Sequence, residues 1–475
     1  MATKKDLVEA YSFSRRRLVT AFVSGAPGGR EVEPTRPGRA IVGGIALAIL
    51  LVAGGAVAGV FKARPDEDWR STGLVISKEE DQYYVIINND DGEDPELRPV
   101  SNITSAQLIL GADNSESREV PEEQIQEEER GAPIGILEAP ATVPSTSNLI
   151  QDEWTACTGD RMGVRANAAE DPQVEQVAAG GGLVLKNDGV LYLIAEETQL
   201  DREAAHAYAL GKKNPDNILG ALKLPFSTEG ALRVNNDFLT LFPQGAALQL
   251  ESFGIGKVGK PVEYAGRQGI PVTAKLGDFY TQSGAMLVLT DEGPAQFSDF
   301  AFAVYRGLTF PKKVEPPGEL TLVETPTIDV VPADYEKEAH WPDSTLAQID
   351  GQACAQLSLA VGESPTVQLV QLPQGDASAE EVAADERDPL VDSGKGAFVL
   401  SGGWDSTVSG SPVLIDDRGF SHSLVGAFAV GNLGYDVDDA PVVNDTWIEL
   451  FKPGVALSRD AALCPPARGE AQQCE

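Results

Sequence analysis

Val234-Asn-Asn-Asp-Phe-Leu-Thr-Leu-Phe-Pro-Gln-Gly-Ala-Ala-Leu248 aligns without a gap on Val443-Asn-Asp-Thr-Trp-Ile-Glu-Leu-Phe-Lys-Pro-Gly-Val-Ala-Leu457. The interval from Val120 to Gly131 repeats the same Val-to-Gly spacing in a degraded form. Upstream, Leu110-Gly111 and Leu433-Gly434 each place their glycine nine positions before that Val; in the second copy, residues between Lys213 and Arg233 lengthen the gap. A shared interval in three places marks an internal repeat.

Ahead of each interval lies the same order of signals. A short apolar strand is followed by a polar turn, a second apolar strand and a helix ending in Gly. The first copy has Gly73-Leu-Val-Ile-Ser, Tyr83-Tyr-Val-Ile-Ile and a helix to Leu110. In the second, Gly182-Leu-Val-Leu-Lys, the turn Asn187-Asp-Gly and Val190-Leu-Tyr-Leu-Ile lead to a helix ending at Leu210-Gly211. A third begins at Met286-Leu-Val-Leu-Thr with a helix from Phe297 to Gly307, and a fourth runs from Pro412-Val-Leu-Ile-Asp to Gly434. The apolar side chains of a strand pair need a partner face, so each copy predicts a compact αβ module. Between them, Glu263 to Tyr280 and Leu357 to Leu372 read as alternating strands, and Asp376 to Asp392 as an exposed acidic loop.

Working outward to the amino-terminal side, Ala40 to Phe61 reads AIVGGIALAILLVAGGAVAGVF, without a charged side chain. At about 1.5 Å per residue, a helix of this length crosses the roughly 30 Å apolar layer of a bilayer. A cleaved signal sequence is the competing reading, but the segment is long and lies behind a charged arm. That arm, residues 1–39, carries eight Lys and Arg against four Asp and Glu, so the remainder of the chain carries −39 against −35 for the whole. The positive-inside rule then puts the arm in the cytoplasm and the bulk of the chain outside. All four cysteines, Cys157, Cys354, Cys464 and Cys474, follow the span, as an oxidising compartment favours. Three disulfide pairings of four cysteines are possible. Strong acidity disfavours nucleic acid as a partner.

Within the arm, Leu7, Tyr11, Ser14, Leu18 and Phe22 recur at helical spacing, with Arg15, Arg16 and Arg17 mostly off that line. The pattern predicts a basic amphipathic helix able to rest on anionic headgroups or pack on a partner, with Tyr11, Phe13, Arg15, Arg16, Arg17 and Phe22 as candidate interface residues.

The ordered set of basic helix Tyr11 to Phe22, Pro-Arg entry, single span, Trp69 before a Gly-led strand, modules, and Trp154-Thr-Ala-Cys157 resembles EccB, the membrane core component of type VII (ESX) secretion systems. The resemblance implies an α+β fold: one transmembrane helix, then four small repeat modules around a central β-rich domain. It implies the bridge Cys157–Cys354, leaving Cys464–Cys474 as a short carboxy-terminal loop. Closing a loop of about two hundred residues stabilises by roughly 4–5 kcal/mol in the chain-entropy picture. The partners implied are a second EccB, EccC, EccD, EccE and the membrane subtilase mycosin.

Some members of that family are described as ATPases, which directs attention to Gly254-Ile-Gly-Lys-Val-Gly259-Lys260-Pro261. Its Gly254, Gly259 and Lys260 have phosphate-loop spacing, but Pro261 stands where a Ser or Thr should hold magnesium, and proline lacks a backbone donor. A surface turn is the expectation. The only histidines, His206, His340 and His422, lack zinc-site spacing, and no Gly-x-Ser-x-Gly elbow occurs. Asp416-Asp417 and Asp438-Asp439 read as solvated turns rather than calcium loops. No cofactor, metal or catalytic residue is assigned.

The resulting division is a cytoplasmic arm (1–39), span (40–61), first module (62–132), extended connector (133–180), second module (181–250), central segment (251–282), third module (283–310), central segment with loops (311–400), and fourth module with tail (401–475). The functional expectation is a structural component shaping the outer side of an export channel. An ATPase subunit of the same system and a membrane-stalked cell-wall or ligand receptor are the competing readings. Trp447, Phe451, Phe242 and Tyr305 are apolar anchors for an interface or, more simply, for the core.

Overall fold

The computed structural model describes residues 3–24, 41–51, 69–89, 94–177, 180–197, 204–211, 215–224, 231–309, 317–333, 340–343, 346–349 and 352–467. The chain forms one unit up to residue 66 and another from 67 onward. The first unit contains α1 (Lys4–Ser24) and α2 (residues 41–51), whose side chains are exposed. Among the described residues, no helix is long and apolar enough to cross a membrane. Position 40 and positions 52–61 of the span read above lie outside the described residues, as do the linker Gly25 to Gly38 and Cys474.

The second unit opens with β1 (Gly73–Ser77), β2 (Tyr83–Ile86) and β3 (Glu96–Pro99), an antiparallel meander. After α3 (Ile103–Leu110), β4 (Ser117–Val120) adds parallel to β1; after α4 (Glu122–Ile125), β5 (Glu129–Arg130) adds parallel to β3. A central sheet starts with β6 (Trp154–Thr158), β7 (Val164–Ala168) and β8 (Glu175–Gln176). The next sheet contains β9 (Gly181–Asn187), β10 (Val190–Glu197) and β11 (Ala204–Ala209). It is followed by α5 (Pro215–Ala221), β12 (Leu232–Arg233) parallel to β9, and α6 (Asn236–Leu239).

A further meander is formed by β13 (Phe279–Gln282), β14 (Ala285–Leu289) and β15 (Pro294–Phe297), followed by α7 (Asp299–Thr309). Then β16 (Ala347–Gln348) returns to β9, and β17 (Ala353–Ser358), β18 (Thr366–Gln371) and β19 (Arg387–Val391) complete the central sheet in the order β19-β7-β6-β17-β18-β8. The last sheet has β20 (Ala397–Gly402), β21 (Ser411–Ile415), β22 (Phe420–Ser423), α8 (Ala429–Asn432), β23 (Val442–Asn444), α9 (Asp445–Ile448) and β24 (Lys452–Pro453), with α10 (Arg459–Ala462) after it.

The first and last sheets have one topology, β4-β1-β2-β3-β5 and β23-β20-β21-β22-β24, each with an antiparallel meander flanked by two parallel strands. Single parallel bridges extend the pattern to the others: Ala207 with Gln244, Phe279 with Glu319, and Ala295 with Val331. Local sequence explains the punctuation. Asn102, Asn235 and Asn444 cap α3, α6 and α9 with their side-chain oxygens. Asp188 and Gly189, at φ 45° and 82°, turn the β9–β10 hairpin in the left-handed conformation that Asp-Gly tolerates.

Strand pleating distributes the core. In β20, Ala397 and Val399 point into one hydrophobic cluster and Phe398 and Leu400 into another. In β9, Leu183 and Leu185 face the cluster shared with the central sheet, and Val184 faces the one shared with α7. The three largest cores follow: the first and last sheets enclose one with α3, α8 and α10; the central sheet occupies the next; and the β9 and β14 sheets enclose the third with α5 and α7, while Trp69, Val75, Tyr84 and Leu97 belong to a smaller cluster on the other face of the first sheet.

The structure corrects several expectations. Residues 204–209, read as the end of a helix, form β11; their Ala-rich composition favours helix, but Ala205 and Ala207 fill one core while Tyr208 fills the other. Each meander has a strand the reading lacked, including β3 and β20, so the last sheet begins at Ala397 rather than near 412. Residues 263–278 form turns, with one bridge between Pro261 and Lys275. The acidic stretch 376–392 contains β19, paired in parallel with β7.

Phe398 is 1% exposed and stacks on Tyr435 with centroids 4.7 Å apart. Phe398→Ala is expected to destabilise the protein by about 3–5 kcal/mol. Val408→Ala, at a residue 73% exposed, should change it by less than about 0.5 kcal/mol; urea unfolding of both variants checks the contrast.

Candidate functional sites

The arm helix α1 is built from its first turn. Asp6 accepts hydrogen bonds from the Thr3 amide at 2.9 Å and the Thr3 hydroxyl at 2.8 Å, while the Asp6 amide donates back to the Thr3 carbonyl. The Thr3 amide first, and its hydroxyl second, hold the Asp6 carboxyl below its ordinary value. Spacing of four, three and four places Tyr11, Arg15, Leu18 and Phe22 along one face. Arg15 therefore lies within the apolar stripe, the one of the three arginines that does, and Phe13 lies away from it. Tyr11 is 74% exposed and Phe22 93%, and Arg15, Arg16 and Arg17 are exposed. The face is a cation-bearing apolar surface suited to docking, with no grouping for bond chemistry.

At Gly254-Pro261, three of the backbone donors are committed internally. The Gly254 amide donates to Glu251, Gly259 to the Leu276 carbonyl, and Lys260 to the Lys257 carbonyl. Gly254, at φ 64°, closes a short 3-10 turn, and Lys257 and Lys260 are exposed. These amides do not converge on a phosphate cradle.

The central sheet brings Cys157 and Cys354 together as directly opposed residues of β6 and β17, joined by a disulfide across 197 residues of sequence. Both sulfurs lie in a small cluster with Val370, Leu372 and Ala379. The pairing of Cys464 with Cys474 lies outside the described residues. The four anchors named above are core side chains: Trp447, Phe451, Phe242 and Tyr305 are each at most 3% exposed. Trp154 meets Phe451 edge-on at 5.4 Å, and the Tyr305 hydroxyl donates to the Gly277 carbonyl.

Two polar constellations were not read from sequence. In the β21–β22 turn, Asp416 is 2% exposed. Its carboxylate accepts from the Arg418 and Phe420 amides at 3.0 and 2.9 Å and from the Arg418 guanidinium at 3.0 and 2.8 Å. His422, 1% exposed, sets Nδ1 2.9 Å from the Val455 carbonyl and Nε2 3.6 Å from Asp416. Burial alone would raise the Asp416 carboxyl, but His422, the Phe420 amide and Arg418 outweigh it and hold it at about 2. The turn is thus buried at Asp416 and solvated only at Asp417. The second constellation joins Arg387 of β19 to Asp237 of α6 at 2.8 and 3.1 Å. The signal for the first was an Arg two residues from an Asp, indistinguishable in sequence from surface charge; the partners of the second lie 150 residues apart, and no local signal joins them. Among the described residues, no three His, Cys, Asp or Glu side chains gather as metal ligands.

The chain matches the family described as type VII secretion system ESX-1, transport TM domain B, over residues 1–466. A Mycolicibacterium smegmatis (strain MKD8) protein named ESX-1 secretion system ATPase EccB1 is 25% identical over 495 residues, 97% of this chain and 95% of its own length. The protein of that name in Mycobacterium tuberculosis (strain ATCC 25618 / H37Rv) is 30% identical over 155 residues, 33% of this chain and 30% of its own. The fold is similar to that of the EccB3 dimer from the ESX-3 core complex, with a TM-score of 0.60 and 18% identity over 82% of this chain and 100% of the other. It is also similar to a chain of an intact ESX-5 inner membrane complex, with a TM-score of 0.58 and 20% identity over 98% and 95% of the two chains.

A carboxyl held at about 2, below its usual 3.8, stabilises the fold fully above pH about 4 and loses that contribution as pH falls through 2. Asp416→Asn should lower stability at pH 7 by about 2 kcal/mol and flatten the wild-type decline between pH about 4 and 2. Urea titrations at several pH values measure both effects.

Proposed function

This chain belongs to the EccB family of type VII secretion proteins, and from that membership we propose that it is a structural subunit of a type VII secretion inner-membrane complex, anchored by one helix and shaping the outer side of an export path. The observation that carries the reading is the family match, which runs from the basic arm through the last sheet. Residues 40–61 are the anchor, the arm lies in the cytoplasm, and the acidic bulk lies outside. The unequal charge on the two sides of the span and the Cys157–Cys354 bridge support this orientation. Four repeat modules surround the central sheet; the recurrence of one strand order in the first and last sheets supports the repeat. The partners are a second copy of this chain, EccC, EccD, EccE and mycosin, with Tyr11, Phe13, Arg15 to Arg17 and Phe22 docking on the cytoplasmic side.

The Mycolicibacterium smegmatis relative carries ATPase in its name. In this chain, the commitment of the Gly254, Gly259 and Lys260 amides to internal carbonyls favours the structural role. Full-length protein in mild detergent is expected to co-purify with a second copy and with a membrane ATPase bearing several nucleotide domains. Recovery of a monomer alone would remove the scaffold reading. Magnesium-ATP turnover by the purified chain that Lys260→Ala abolishes would replace it with an enzymatic one. Protease added to intact cells should digest the region after the span and spare residues 1–39; the reverse pattern would overturn the orientation.

A further inference from the structure

The two segments that align in sequence also meet in space. The Trp447 indole donates to the Leu241 carbonyl at 3.2 Å, and the Thr446 hydroxyl lies 3.0 Å from the Thr240 carbonyl and 2.7 Å from Asn444 Oδ1. Thus α9 of the last module supplies donors to carbonyls at the end of α6, where a helix leaves acceptors without internal partners. The reciprocal contact lacks such donors. The residues aligned with Thr446 and Trp447 are Asp237 and Phe238, an acceptor and a hydrocarbon. The carbonyl aligned with Thr240 is that of Glu449, and it accepts from the Arg387 guanidinium, whose other nitrogens are gripped by Asp237. Arg387 is on β19, at the edge of the central sheet.

We propose that segments 234–248 and 443–457 form a two-fold-like joint between the second and fourth modules, that Arg387 is the third-party donor completing the half lacking one, and that the joint makes both modules and the β19 edge open together. The proposal rests on the repeat reading for the equivalence of positions, while the coupling itself rests on the contacts. A planar guanidinium suits this place because it grips a carboxylate with two nitrogens and still reaches a carbonyl with the third. Apolar packing of Phe238, Phe242, Trp447, Leu450 and Phe451 in one cluster brings the two segments close enough for a single side chain to span them.

Hydrogen exchange on the full-length protein in detergent tests this. Arg387→Gln should speed exchange in peptides 236–242 and 445–451 together, by about three- to tenfold, and leave β13–β15 unchanged. Arg387→Lys, which keeps the charge but cannot fork, should fall between wild type and Gln in both peptides. Trp447→Phe should produce the same joint response from the other half. Arg70→Gln serves as the control, because it breaks the Arg70–Glu128 pair beside the first sheet without touching the joint or the β19 edge; it should leave both peptides as they are. Loosening confined to β19, or to one of the two segments, overturns the coupling and leaves the repeat assignment standing. Full rescue by lysine overturns the forked-donor role.

Discussion

Burial on both faces of the β9 and β20 sheets is the constraint from which the rest of the second unit follows. A strand has only two faces, so a sheet with one core on each side must be apolar at every position, and its partners must be layers rather than loops. That is why Ala397-Phe-Val-Leu and Gly182-Leu-Val-Leu are continuous apolar runs. The helices then have one place to go. The α3 helix meets α8 and α10 within the core of the first and last sheets, and α5 meets α7 within that of the β9 and β14 sheets. At the close contact of the latter pair, a Cβ on Gly307 would lie 2.6 Å from the Ile218 Cα, so that position admits only glycine.

Sequence made the repeated parts legible and the joining parts obscure. Capping asparagines, Gly after a helix and an Asp-Gly hairpin are local devices whose geometry is set by the residues themselves. Hence the α6 and α9 segments could be aligned directly. In contrast, β11 is written Ala-Ala-His-Ala-Tyr-Ala, a helix former by propensity that becomes a strand only because two cores lie across its pleat. The strand Arg387–Val391 is charged and carries a proline, and its place comes from pairing with β7 and not from its own propensity. Of the candidate site residues, those on α1 were readable from spacing alone. The buried Asp416 cluster was not, because burial of a carboxylate depends on a fold-wide neighbour, the Val455 segment that holds His422 against it.

The chain's few arginines illustrate how an acidic protein uses scarce cations. Arg118 donates to the Trp69 and Thr72 carbonyls and to both oxygens of Ser71, holding the start of the second unit against β1 and β4. Arg130 meets the largely buried Glu122, and Arg70 meets Glu128. Arg418 folds onto Asp416 in its own turn. These arginines hold backbone or buried carboxylates in place, whereas isolated surface pairs contribute little. The surplus carboxylates are left at the surface, where they repel one another and keep extended faces soluble.

A component of a multi-protein inner-membrane complex has to carry geometry from one partner to the next, and a chain of independent beads would not do so. Here the central core is lined by strands of the β9 sheet, the central sheet and the last sheet together. Displacing one of these sheets would therefore expose apolar surface belonging to its neighbours, at a cost that grows with area and not with the number of polar contacts. The Cys157–Cys354 bridge fixes the register of β6 against β17 in the middle of that arrangement. Polar contacts such as those of Arg387 and Trp447 add direction to a contact that burial alone would leave free to slide. The core shared among the sheets of the second unit and the exposed, cation-bearing helix of the first are thus complementary properties: the first preserves the sheets' relative positions, and the second leaves a surface available for docking.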